Sequence, residues 1–200
     1  MGKYDVITIG REFGSGGLDV GRELSKRLGY PLYDKEILDE AAKKSGFTKE
    51  IFEKHDEKPT NSFLYALAMG AGASYGGTFQ RPLMLDIYLA QFETIKKLAA
   101  DGPGIFIGRC ADYVLNEHTS ALHVFISCDR DIRIKRIMEN TGLNEKKATE
   151  LMIKSDKERS SYYNYYSNEI WGDSRHYDLC LNTGKFGIEG VASIIESCVK

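Results

Sequence analysis

The chain has 200 residues, 42% hydrophobic and 28% charged, with a formal net charge of −2, as expected of a soluble globular domain of ordinary size. That balance offers no bulk electrostatic surface for nucleic acid, no apolar run approaches the roughly 20 residues that cross a bilayer, and a strand that begins by Asp5 leaves no room for a signal peptide. Four scattered cysteines (Cys110, Cys128, Cys180, Cys198) without a C-x-x-C pair argue against a zinc site or redox dithiol and for free thiols in a reducing cytoplasm.

The first predicted element is a strand over Val6–Ile9. It enters the glycine-rich turn Gly14-Ser15-Gly16-Gly17, and a helix over Asp19–Leu28 follows with Val20, Leu24 and Leu28 on one face. Strand, glycine loop and helix in that order make a phosphate cradle, because glycines let backbone N–H groups face an anion and the helix N-terminus adds its dipole. The loop departs from the G-x-x-x-x-G-K-[ST] pattern. With Gly16 as the second glycine, Gly17 stands in the lysine position, Leu18 in the hydroxyl position and Arg11 in that of the first glycine. A short strand, Leu32-Tyr33, ends at Asp34. That carboxylate can orient an acceptor hydroxyl, hold a metal through water, or cap the helix predicted over Lys35–Lys44. From about 46 to 90 the pattern gives helices and no convincing strand. Its small-residue segment Met69–Gly77 reads either as a plain flexible loop or as a flap closing on substrate.

A helix over Leu83–Ala100 stops at Asp101-Gly102-Pro103-Gly104, and a strand over Ile105–Ile107 delivers Gly108-Arg109. Ligands of open α/β sheets bind at this C-terminal edge, where a guanidinium grips phosphate bidentately; a surface salt bridge is the plainer alternative. A strand over His123–Ser127 precedes a helix over Asp129–Asn140, with Asp129 as candidate N-cap and Ile134, Ile137 and Met138 facing inward. That helix crowds Arg130, Arg133, Lys135 and Arg136, of which Arg133 and Arg136 share a face; such charge runs are usually solvated, and one functional member is expected. A long helix over Glu145–Tyr165 carries Lys154, Lys157 and Arg159, either a solvated face or cations spread over a transferring phosphoryl group. Tyr162, Tyr163, Tyr165, Tyr166 and Trp171 follow, suited to packing that helix on the body or to stacking on a base. A last strand over Leu179–Leu181 and a helix over Ile188–Val199 close the chain. His55, His118, His123 and His176 have no metal-ligand spacing. The βαβ alternation, with near-continuous apolar strands, predicts an α/β domain around a parallel sheet.

With the loop, Arg109 and the cationic helix in view, the chain resembles the P-loop nucleoside-monophosphate kinases, and among them the cytidylate kinase-like family, over nearly its whole length. The matching stretches are Ile7-Thr8-Ile9 with Gly14-Ser15-Gly16, Leu28-Gly29-Tyr30 with Tyr33-Asp34, Pro103-Gly104-Ile105 with Gly108-Arg109, Val124-Phe125-Ile126 with Arg133, Ile153-Lys154 with Arg159, and Tyr177–Thr183. The resemblance implies a P-loop kinase fold as one domain over 1–200: a five-stranded parallel sheet flanked by helices, a helical acceptor-binding insertion at about 35–90 and a short lid at about 145–172. It implies ATP with Mg²⁺, and phosphoryl transfer to a nucleoside monophosphate or similar small acceptor. Gly14, Ser15, Gly16, Gly17, Leu18 and Asp19, with Arg11, would take the donor phosphates, and Thr183 would lie near the donor base. Arg109 and Asp34 would hold the acceptor with Arg133 assisting, while Lys154, Lys157 and Arg159 close over the transferred group. No side chain is assigned as a direct metal ligand.

Departures from the family pattern carry their own expectations. Lys35 replaces the serine of the acceptor-binding D-S-G pattern and Glu40 its arginine; Ile107 replaces the aspartate of D-G-R, and Tyr163 a lid arginine. Cytidine specificity is therefore not carried over. Phosphoryl transfer needs a cation at the transferring oxygens, and Lys35 is favoured over Arg11, for which local pairing with Glu12 is the alternative. A nucleotide-binding regulator without catalysis and a kinase of a non-nucleotide metabolite are the competing readings.

Overall fold

The computed structural model describes residues 4–45, 48, 50, 51, 53, 56, 57 and 83–200. In chain order these form strand β1 (Val6–Arg11), helix α1 (Gly17–Leu28), strand β2 (Leu32–Tyr33), helices α2 (Lys35–Ser45) and α3 (Leu83–Asp101), and strand β3 (Gly104–Ile107). A short helix α4 (Ala111–Val114), strand β4 (Ala121–Ser127) and helices α5 (Arg130–Thr141) and α6 (Glu145–Ser167) follow, then a 3₁₀ turn (Ser174–His176), strand β5 (Leu179–Asn182) and helix α7 (Thr183–Val199). Most of the insertion expected at about 35–90, including Met69–Gly77 and His55, lies outside the described residues.

All five strands run parallel in the order β2-β3-β1-β4-β5. This is the P-loop kinase fold. The first strand is central, between β3 and β4, so both its faces must be covered, and Val6, Ile7, Thr8 and Ile9 are all buried. The pleat sends Ile7 and Ile9 to one face. There they pack with Val20 and Leu24 of α1 and with Val191, Ala192 and Ile195 of α7. Val6 goes to the other face with Phe106, Ile37 of α2 and Ile95 of α3. Thr8 shares that face, and its hydroxyl is hydrogen-bonded to His123 Nδ1 at 2.8 Å. Burial holds the His123 ring below its ordinary value, so the pair is a neutral one inside the sheet.

Three local details differ from the sequence reading. Asp129 is the residue before α5, yet its side chain caps nothing; it accepts from Asn182 Nδ2 at 3.4 Å and pairs with Lys185 at 3.6 Å. The last helix begins at Thr183 rather than Ile188, with a break at Gly187 (φ 69°, ψ 173°); the sequence pattern located only the part beyond the break. Helix α4 has four residues, too few to leave a period.

Aromatic residues fasten α6 to the body. Tyr166 stacks on Tyr88 of α3 with ring centroids 3.9 Å apart, Tyr162 Oη donates to Gln91 Oε1 at 2.9 Å, and Tyr163 Oη donates to Asp112 Oδ2 at 2.7 Å. These three rings pack α6 on the body. Burial pushes the Asp112 carboxyl up to about 6 despite the Tyr163 hydrogen bond. Its folded value therefore lies above the ordinary value of about 4, so the stability it contributes is complete below about pH 4 and lost as pH rises through about 6. Asp112→Asn keeps an oxygen for Tyr163 and removes the charge. Urea titrations should find the variant more stable than the wild type by roughly 1–3 kcal/mol at pH 7.5, with the difference vanishing near pH 4.

Candidate active site

The glycine loop lies at the C-terminal edge of the sheet between β1 and α1. Gly14 and Gly16 are left-handed, at φ 78° and 83°, a conformation that costs side-chain-bearing residues about 1–2 kcal/mol. Gly16 is the N-cap of α1 without a side-chain cap. A Cβ on Gly17 would come within 2.6 Å of Arg11 Cβ, so the residue in the lysine position has no room for a side chain as the loop stands. Above the loop is a cavity of about 290 Å³ lined by Gly14, Gly16, Gly17, Leu18 and Asp19 together with Arg11, Arg136 and Arg159.

Side chains from distant elements hold this loop. Arg136 Nη1 donates to the Ser15 carbonyl at 2.8 Å and to Thr183 Oγ1 at 3.0 Å, and Thr183 Oγ1 donates to the same carbonyl at 2.5 Å. Thr183 is buried beneath the loop, and the Ser15 hydroxyl, also buried, has no partner among the described residues. Arg133 is buried too. Its Nε donates to the Phe13 carbonyl at 2.8 Å, and its guanidinium pairs with Glu12 at 3.2 Å and with Asp156 of α6. Asp156 in turn accepts from the Phe13 N–H at 2.7 Å, which brings α6 against the loop. Of the two arginines sharing the α5 face, Arg136 lines the cavity while Arg133 fastens loop to helix. Their equal spacing and charge in sequence concealed this division.

A second set of charges surrounds Arg109. Gly108, Arg109 and Cys110 are left-handed in succession, at φ 67°, 54° and 55°. Two of them carry side chains, and the turn is sustained by the contacts around it. The Gly108 N–H donates to the Ile9 carbonyl and the Ala111 N–H to that of Gly108, both at 3.0 Å. Arg109 is 2% exposed. Its Nε and Nη2 hold both oxygens of Asp56 at 3.0 and 2.8 Å, and its Nη1 donates to Asp34 at 2.9 Å. Asp34 is thus an ion-pair partner at the end of β2, while its own N–H donates to Glu36 Oε2.

Glu57 completes the cluster. It accepts from Arg11 Nη1 at 2.5 Å, the Arg109 N–H at 2.9 Å and Arg159 Nε at 3.2 Å. Burial alone would raise its carboxyl, but Arg11 and Arg159 hold it well below the usual carboxylate range. Arg11 therefore pairs with Glu57, not locally with Glu12, which instead accepts from the Cys128 N–H and meets Arg133. Burial and the neighbouring Arg11 bring Arg159 down to about 10, still fully charged at neutral pH. Its guanidinium also lies 5.4 Å from the Phe13 ring centroid.

A cavity of about 260 Å³ adjoins this cluster, lined by Lys35, Asp56, Arg109, Ser155 and Glu158 among others. It shares Arg11, Phe13, Asp34 and Arg159 with the cavity over the loop. Lys35 is exposed and no described carboxylate pairs with it. Lys154, with a side chain 73% exposed, meets Glu158 at 3.9 Å; Lys157 is exposed, and neither lysine lines either cavity. Asp56 and Glu57 are the site residues that sequence reasoning missed. Nothing in an acidic pair far from Arg109 in the chain marks it as that residue's partner.

Among solved structures, this one is similar to an uncharacterized protein from Eubacterium ventriosum, with a TM-score of 0.72, 33% identity and 96% of each chain covered. Shikimate kinase from Bacteroides thetaiotaomicron shares the fold at a TM-score of 0.56 and 12% identity, again over 96% of each chain. In sequence, cytidylate kinase of Methanococcus vannielii is 28% identical over 98% of this chain and 99% of its own length. That of Thermococcus kodakarensis is 25% identical over 97% and 87%. The pattern defining the cytidylate kinase-like family matches residues 6–185, a span that takes in the glycine loop, Asp34, the Arg109 turn and the cationic helix: the chain belongs to the cytidylate kinase-like family.

Proposed function

We propose that the protein transfers a phosphoryl group from ATP to a nucleoside monophosphate or similar small acceptor. The observation that carries this reading is the pair of adjoining cavities, one over the glycine loop and one beside Arg109, that share Arg11, Phe13, Asp34 and Arg159. Transfer between two bound molecules requires such adjoining compartments with cations at the junction. The donor phosphates lie against Gly14–Asp19 and the N-terminus of α1, with Arg136 at their side; Ser15 contributes a hydroxyl without a competing partner among the described residues. The acceptor occupies the second cavity beside Asp34 and Arg109. Arg133 assists by holding the loop against α6, and Arg159 at the junction faces the transferred group. Residues from about 145 to 172 act as the lid, with Lys154 and Lys157 on its exposed face.

Mg²⁺ commonly keeps several waters and binds through phosphates and one or two carboxylates. The loop cavity fits that habit: Leu18 offers no hydroxyl, but Asp19 and Asp34 both line it, and we assign them to the metal's water shell. When bound, the ion neutralises charge on the phosphate oxygens. The charge that the loop lysine would carry falls to Lys35. Arg11 and Arg159 are each engaged by Glu57, whereas Lys35 lines the acceptor cavity without a described partner.

Two measurements test the reading. Gly16→Val places a branched side chain where a Cβ already comes 2.5 Å from Ile188 Cδ1. It should weaken ATP by tenfold or more in calorimetric titration, a loss of about 1.4 kcal/mol, under conditions where thermal scans show the variant folded. Unchanged affinity would remove the loop from the site. Lys35→Met should lower turnover in an ATP and Mg²⁺ assay across nucleoside monophosphates by roughly 10²-fold, with fold stability within about 0.5 kcal/mol of wild type because the side chain is exposed. Undiminished turnover would exclude Lys35. The absence of turnover in the wild type on every acceptor would favour the regulator reading, which Gly17 and Leu18 in the lysine and hydroxyl positions support.

A further inference from the structure

The Glu57 carboxylate sits where three donors converge. Arg11 Nη1 and the Arg109 N–H reach Oε1 at 2.5 and 2.9 Å, and Arg159 Nε reaches Oε2 at 3.2 Å. Two guanidinium groups and a main-chain N–H form the donor set that oxyanions in general recruit. Gly108 makes the space: it is left-handed, and a Cβ on it would run into both the Glu57 carboxylate and the Arg11 guanidinium. The position is at the C-terminal ends of β1 and β3, and both Arg11 and Arg159 line the two adjoining cavities. The Arg109 guanidinium donates to Asp34 and Asp56, so it keeps two direct partners of its own although the Glu57 charge also supports it.

We infer that Glu57 is a tethered competitor for the acceptor: its carboxylate occupies an oxyanion site formed by Arg11, Arg159 and the Arg109 N–H, and an acceptor phosphate binds there by displacing it. This rests on assigning the second cavity to the acceptor. Glu57 then determines specificity, because only a group that outcompetes a resident carboxylate is admitted. A phosphate dianion does so where a neutral hydroxyl or a single carboxylate does not, since it brings a second negative charge and more acceptor oxygens to Arg11, Arg159 and the Arg109 N–H than the one Glu57 carboxylate does. Burial and Arg11 disfavour the charged form of Arg159 while Glu57, Asp156 and Asp56 favour it, and a dianion adds to the favourable side. Until such an acceptor arrives, the cations at the junction are withheld from the donor phosphates, which guards against transfer to water.

The test is calorimetric titration of inorganic phosphate into wild type, Glu57→Gln and Glu57→Asp. Glutamine keeps the length and drops the charge. It should bind phosphate at least about tenfold more tightly than wild type, the scale of one freed charge-assisted contact, and the gain should disappear in Glu57→Gln/Arg159→Gln. Aspartate keeps the charge but withdraws it by one methylene, so its gain should be intermediate; it is the variant to read if Glu57→Gln does not fold. Wild-type phosphate affinity in the folded variants, or a gain that survives loss of Arg159, would overturn the inference and leave Glu57 as a structural ion pair. Tighter phosphate binding without turnover on any acceptor would uphold the oxyanion site and remove the kinase reading; turnover without tighter binding would do the reverse.

Discussion

A guanidinium that is almost wholly buried must find its counter-charge inside the protein, and the candidate site is arranged around how Arg109 does so. Desolvating an ion costs several kcal/mol even after relaxation, and only close, well-directed partners return it. Arg109 obtains them from the end of β2 (Asp34) and from Asp56. The left-handed turn through Gly108, Arg109 and Cys110 points its N–H at Glu57, which draws in Arg11 from β1 and Arg159 from α6. Three guanidinium groups thereby meet three carboxylates. A cluster of this kind adds little net stability over well-packed apolar groups, but removing one partner is expensive. Its effect is to fix the relative positions of β1, β2, β3 and α6 at the ligand-facing edge.

The glycine loop is organised by a separate device. A loop lysine would need side-chain room at position 17, and Arg11 Cβ occupies that room. Arg11 is itself drawn toward Glu57, so the loop's shape and the cluster around Arg109 are coupled through one residue. The other side of the loop is supported by Arg133, Arg136 and Thr183, all of which bond main-chain carbonyls of Phe13 or Ser15. These donors hold the loop from beneath and leave the cavity side to the glycines and Arg136. Asp156 ties α6 to the same loop through Phe13 and Arg133, so movement of α6 would be felt at both cavities.

How far this was legible in the sequence depended on the range of the signal. Central strands β1, β3 and β4 were readable because burial on both faces leaves continuous apolar runs. Helix α1 was readable from Val20 and Leu24, and the stop at Asp101–Gly104 from its glycines and proline. Helix α4 escaped because four residues make barely one turn, and the break at Gly187 because a glycine in a helical pattern has more than one reading. In the site, Arg109 stood out by its position after a strand. Its partners did not: Asp56 and Glu57 lie in a stretch whose sequence shows no convincing strand to place them, and opposite charges far apart in sequence give no indication that they meet. The α5 arginines show the same limit. Arg133 and Arg136 are equivalent by spacing, and only the placement of α6 and α7 decides that one bonds Asp156 and the other Thr183.

The charge count also bears on what the departures from the family pattern mean. Lys35, Glu40, Ile107 and Tyr163 stand at positions where the resemblance led us to expect a serine, two charged groups of the acceptor pocket and a lid arginine. Two of these changes remove charge near the Arg109 turn, and the chain compensates. With Ile107 where an aspartate was expected, Arg109 draws on Asp56; with Tyr163 where an arginine was expected, α6 gains a hydrogen bond to the buried Asp112. The second exchange turns part of the helix from a phosphate-facing surface into a packing surface, leaving Arg159 as the α6 cation at the junction of the cavities. Of the α6 cations, Lys154 and Lys157 line neither cavity and Arg159 is paired with Glu57, so the charge at the junction is fixed by ion pairs rather than by free side chains. Under the proposed assignment of the second cavity to an acceptor, acceptor charge and catalytic readiness become one variable, and a rebuilt pocket alters specificity without altering the fold that carries it.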